Sequence, residues 1–113
     1  MDQYHEPVED LADSDRDIVR ALMSLKEEVE AVNWYQQRAS ATSDEELSEV
    51  LAHNRDEEIE HACMTIEWLR RNMTAWDEEL NTYLFSEAPI TELEELEEEE
   101  GEKEEDSGDL DIR

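Results

Sequence analysis

His53 to Met64 reads HNRDEEIEHACM, and Glu58-x-x-His61 stands at its centre. Three residues along a helix is slightly less than one turn, so the carboxylate and the imidazole share a face. Oxygen and nitrogen donors stacked in this way hold metal ions, and a carboxylate-rich set with one His suits iron or manganese better than a thiolate set would. Alone, E-x-x-H is also a common solvated helix surface. A second acidic stretch, Lys26 to Tyr35 (KEEVEAVNWY), stands on the preceding predicted helix. Di-iron carboxylate bundles take one Glu from each of two helices and Glu-x-x-His from each of two others. This chain offers one helix of each kind, which is half a site.

Outward from that stretch the pattern is helical. In the first helix, expected over 15–39, Ile18, Leu22, Leu25, Val29 and Val32 repeat at threes and fours. Ser14, followed by Asp17, is its expected cap. Glu28 lies at the edge of that seam. A carboxylate there is either a ligand or a charge at the rim of a packing face, because burying it unpaired is costly. Ser43 and Glu46 form a capping box for the second helix, expected to reach Arg71. Leu47, Leu51, Asn54, Glu58, His61, Thr65 and Trp68 fall on one stripe, polar in the middle and apolar at both ends. That is the layout of a site inside a bundle. The short connection makes the two helices an antiparallel hairpin. Counting from the turn sets Glu28 and Glu58 within roughly one helical turn of the same height. Two helices cannot enclose a dry site, so a second copy has to complete it.

Thr74 and Asp77 open a third helix over 75–85, with Trp76, Leu80, Tyr83 and Leu84 as its apolar side. Pro89 ends it. Thr91 with Glu94 could cap a further, marginal helix, since ELEELEEEE repels itself. Residues 97–108 are low-complexity and acidic, and read as disordered. After them, Leu110 and Ile112 alternate with polar residues in GDLDIR. The tip is either a docking peptide on a solvated tether or a frayed end. The domains read as an arm (1–13), a helical hairpin with a short third helix (14–90), an acidic flexible linker (91–106) and a terminal peptide (107–113).

The 113 residues carry a net charge of −27. Residues 90–113 hold 13 acidic side chains against 2 basic ones. Nucleic acid is a poor partner for such a surface, while cations are attracted to it, and halophilic adaptation is another origin for the acid. One cysteine, Cys63, allows no intrachain disulfide and reads as a small packing residue rather than a reactive thiol. The polar, acidic N-terminus lacks the features of a signal peptide, and no apolar run approaches membrane-spanning length. A cytosolic protein is expected. His5 and His53 read as surface histidines.

Three stretches, EEVEAVNWYQQR (27–38), LAHNRDEEIEHACMTIEWLRRN (51–72) and TYLFSEAPI (82–90), resemble the encapsulin-associated ferritins, or encapsulated ferritin-like proteins, over about His5 to Leu93. The terminal SGDLDIR is similar to the peptides that dock cargo inside encapsulin shells. The resemblance implies an all-α chain whose two-helix hairpin dimerises into a ferritin-like four-helix bundle. Dimers would assemble into a ring-shaped decamer. It also implies a ferroxidase with a di-iron centre bound by Glu28, Glu58 and His61 of both subunits, beside Tyr35 and Trp34. Glu27 and Glu30 would form secondary entry sites for iron, calcium or another divalent ion. Gly108, Asp109, Leu110, Asp111, Ile112 and Arg113 would dock to the encapsulin shell protein, placing the enzyme in a nanocompartment in the cytoplasm. Asn33, where the family often has Asp, and Cys63, where it has a small residue, depart from the pattern. The rivals to an enzyme are a non-catalytic acidic metal buffer and a structural assembly protein. Saturable binding would mark the first hypothesis, graded weak binding the second, and metal-indifferent assembly the third.

Overall fold

The structure is a computed structural model describing residues 3–107; the terminal peptide expected at 107–113 lies outside them beyond Ser107. It is all-helical, as the periodicity requires: a 3-10 turn at Val8–Asp10, then α1 (Asp13–Ala41), α2 (Glu45–Asn72), α3 (Thr74–Tyr83) and α4 (Ile90–Ser107). Two compact units divide the chain, Met1–Met73 and Thr74–Arg113.

In the first unit, α1 begins earlier than the Ser14 signal predicts. Ala12 is the extended N-cap and lends no side-chain bond, while Arg16 N–H donates to the Ala12 carbonyl. Asp13 and Asp15 in the first turn supply the negative charge that the positive helix end favours. Ser14 therefore lies inside the helix. The arm is tied down rather than loose, because the Arg16 guanidinium donates to the Val8 carbonyl.

At the hairpin turn the expected capping box is shifted by one residue. Asp44, not Ser43, is the N-cap of α2: its Oδ1 accepts from Leu47 N at 2.9 Å. Asp and Ser cap equally well, and the one-residue shift leaves Thr42 to close α1 through its N–H to the Arg38 carbonyl. The two helices then run antiparallel. Three side-chain bonds cross between them: Ser48 Oγ to the Ala39 carbonyl at 2.8 Å, Arg55 Nη1 to Gln36 Oε1 at 2.8 Å, and Thr65 Oγ1 to Glu28 Oε1 at 2.8 Å. As numbers fall along α1 they rise along α2.

Among the described residues only Ala62 and Leu69 are buried, Leu69 completely. The apolar stripe of each helix is wider than one neighbour can cover. On α1 the predicted seam divides. Ile18, Leu25 and Val32 are half-buried, whereas Leu22 and Val29 stay exposed, Val29 at 54%. On α2 the buried positions Ala62 and Leu69 are shifted one residue from the predicted stripe. Val50, Met64 and Trp68 are left uncovered. Cys63 is exposed, contrary to its reading as a packing residue. Such hydrophobic faces are what a helical hairpin offers to further helices.

The end of α2 carries an ion-pair cluster. Glu67 accepts from Arg70 Nε at 2.7 Å and from Arg71 Nε at 2.7 Å. Hydrogen bonds from Arg70 and then Arg71 pull its carboxyl from 4.5 down to about 2. A depressed folded value means that the cluster's contribution is present above pH 4.5 and is lost as pH falls towards 2. Carbon-detected NMR should therefore find Glu67 titrating about two pH units below an ordinary glutamate; a midpoint near 4.5 would contradict the cluster.

In the second unit, α3 ends at Tyr83. Phe85 follows with φ 58°, a left-handed residue that stops the helix, and its side chain is fully exposed. Helix α4 starts at Ile90 on the Pro89 carbonyl, which accepts from Glu92 and Leu93 N–H, rather than at a Thr91 cap. The acidic stretch read as an irregular linker is helical through Ser107. Glutamate is a good helix former, and local propensity here outweighs side-chain repulsion. Burial, and then the charges of Glu94, Glu97, Glu79 and Glu98, raise the Tyr83 phenol above its usual 10. No helix among the described residues is long and apolar enough to cross a membrane.

Candidate metal centre

The chemistry-bearing side chains sit halfway along the hairpin. Glu58 and His61 share one side of α2, with His61 Nδ1 3.6 Å from Glu58 Oε2. Their i,i+3 spacing on a regular helix puts them there. Glu58 is half-buried and the His61 ring is nearly half exposed. On α1, Glu28 is half-buried against the α2 side. Its Oε1 accepts the Thr65 hydroxyl at 2.8 Å. Thr65 Oγ1 also lies 3.2 Å from the carbonyl of His61, one turn back.

Both side chains lean towards the N-terminus of their own helix, and in an antiparallel pair those directions converge, which lets the Glu28 carboxylate meet the Thr65 hydroxyl. The Glu28 carboxylate is thereby engaged at Thr65, which follows Glu58 on α2 by seven residues, about 10 Å of helix. Accordingly, no group of three His, Cys, Asp or Glu side chains among the described residues is gathered closely enough in one chain to hold a metal ion. The donor types suit a hard, oxygen-preferring cation, but one chain presents them as separate partial sets along one hairpin.

The aromatic pair is organised by a cation. The Arg38 guanidinium carbon lies 5.9 Å from the Trp34 ring centre and 5.7 Å from that of Tyr35. Both distances fall within cation–π range. Tyr35 is half-buried and Trp34 exposed. Glu27 and Glu30, the expected entry-site residues, are exposed on α1. Asn33 Oδ1 accepts from Gln37 Nε2 at 3.1 Å, so its side chain is engaged along its own helix. His53 is exposed, with Nε2 3.4 Å from Glu57. Sequence reasoning missed the link from Thr65 to Glu28 and the position of Arg38 over the two rings. The second was available in the i,i+4 spacing of Trp34 and Arg38, whereas the first carries no signal until the register across the turn is known.

Two long antiparallel helices in an all-α chain place this protein in the ferritin-like helical class. The "EncFtn-like" family model matches residues 3–87, and the chain belongs to that family. It is 62% identical over 112 residues to a "Ferritin-like protein" of Thermotoga maritima, covering 99% of this chain and 96% of that one. An "Encapsulated ferritin-like protein" of Rhodospirillum rubrum is 58% identical over 90 residues, which are 80% of this chain and 64% of the relative. A solved crystal structure of a Nitrosomonas europaea protein superposes with a TM-score of 0.76 at 55% identity, covering 79% of this chain and 98% of that one.

Proposed function

We propose that two copies of the chain bring their hairpins together as a four-helix bundle and form a ferroxidase centre between them, with ferrous iron as the substrate. The observation that carries this reading is the division of donors within one chain. Glu28 and Glu58-x-x-His61 do not close a site by themselves, yet they lie on a hairpin whose Val50, Met64 and Trp68 are uncovered. Two chains supply four carboxylates and two imidazoles, the donor set of a di-iron bundle. Membership of the EncFtn-like family supports the same reading.

In this mechanism Glu28 and Glu58 bind ferrous ions and favour the ferric product, because anionic oxygen donors stabilise the higher charge. His61 supplies a nitrogen donor. Each ferrous ion gives one electron to dioxygen or peroxide. Tyr35 and Trp34, beneath Arg38, flank the centre. Glu27 and Glu30, on the exposed side of α1, collect divalent cations, as does the surface as a whole through its net charge of −27. Saturation near two iron per pair of chains, with oxidation, is the expected titration in air. Weak graded binding without oxidation would instead support an acidic metal buffer, the reading that the surface charge favours.

Further assembly of the pairs into a decameric ring is part of the proposal, supported by the apolar positions Leu22 and Val29 left open on α1. An open ring stores no mineral, so storage falls to an encapsulin shell in the cytoplasm, reached through Gly108 to Arg113. The R. rubrum relative's name, "Encapsulated ferritin-like protein", supports this partner. Removing residues 108–113 should leave iron oxidation intact and abolish co-purification with the shell; unchanged packaging would rule the peptide out.

A further inference from the structure

We infer that Thr65 is a positioning residue for the proposed centre, acting on metal through Glu28; the inference rests on the ferroxidase reading above. Glu28 sits where a carboxylate is awkward, half-buried between two helices. A charged group there needs a donor. The hydroxyl of Thr65 provides it across the hairpin at 2.8 Å to Oε1. That bond fixes the carboxylate on the α2 side and engages one of its two oxygens, leaving Oε2 for a metal ion.

The same hydroxyl lies 3.2 Å from the His61 carbonyl. It has one proton and two acceptors. The charged carboxylate is both closer and the stronger acceptor, while the backbone carbonyl is the usual back-bonding partner of a helical Thr. If Glu28 swings towards an ion, the hydroxyl can turn to the carbonyl and remain paired. Thr65 thus couples the carboxylate ligand on α1 to the helical turn that carries the imidazole ligand on α2. An open groove lined by Ala21, Ser24, Met64, Thr65 and Trp68 runs beside Thr65. Outer partners of metal ligands commonly change affinity by 10–100-fold when removed.

The experiment compares wild type, Thr65→Val, Thr65→Ser and Glu28→Gln by anaerobic calorimetry with cobalt(II) alone, after circular dichroism has matched their helix content. Val keeps the shape and removes the hydroxyl; Ser keeps the hydroxyl. The inference expects cobalt(II) to bind about 10-fold more weakly to Thr65→Val, with Thr65→Ser restored to within about 2-fold of wild type. Wild-type affinity in Thr65→Val overturns the inference while the Glu28 site stands, provided Glu28→Gln has lost binding. Failure of Ser to restore affinity likewise overturns it, and marks Thr65 as packing only. Undiminished binding in Glu28→Gln removes the site itself, and the inference with it.

Discussion

Glu28→Ala and His61→Ala should each lower the rate of ferrous oxidation by at least about 100-fold, read by stopped-flow absorbance of the ferric product. Even partners that only touch metal ligands cost 10–100-fold when removed, so loss of a direct donor sits at or beyond the top of that range. In a paired site each substitution removes two donors at once, one from each chain. The hairpin itself should survive. His61 is nearly half exposed, and its truncation buries nothing. Glu28→Ala removes one bond, from Thr65, worth on the order of 1 kcal/mol net; Ser48 to Ala39 and Arg55 to Gln36 still tie the helices. Folded variants with unaltered oxidation would defeat the assignment of both residues.

Stripping divalent metal should dissociate the assembly. In the proposed pair, four glutamates from Glu28 and Glu58 face one another across one interface. Without cations their mutual repulsion and lost hydration oppose association. The exposed Met64 and Trp68 favour association, so the balance is set by metal. Light scattering on chelated protein is expected to give monomer or a small oligomer, with mass rising when ferrous iron is restored. A chelated sample of undiminished mass would show that apolar contacts suffice, which is the outcome for a purely structural assembly.

Much of the hairpin was legible because its signals are redundant. Two long runs of three-and-four spacing, a capping box between them, and scarcely any Gly or Pro all point to antiparallel helices. The details that failed are those decided by one residue. Ser43 and Asp44 are equivalent caps, so sequence alone could not choose between them. The burial pattern was misjudged for a different reason. Periodicity marked Val29 and Trp68 as core, whereas the single hairpin leaves both exposed. Glu58 and His61 were readable from an i,i+3 pair. Thr65 was not, because a lone hydroxyl on a stripe carries no signal until the register across the turn is known. In 97–107, composition argued for disorder where helix propensity prevails.

The central claim is that the centre lies between chains, and anomalous diffraction at the iron edge from ferrous-soaked crystals tests it most directly. Two iron peaks per pair of hairpins are expected, each within bonding distance of Glu28, Glu58 or His61 side chains drawn from both copies. Iron held by one chain alone, or scattered over surface glutamates with no peak between the hairpins, would contradict it.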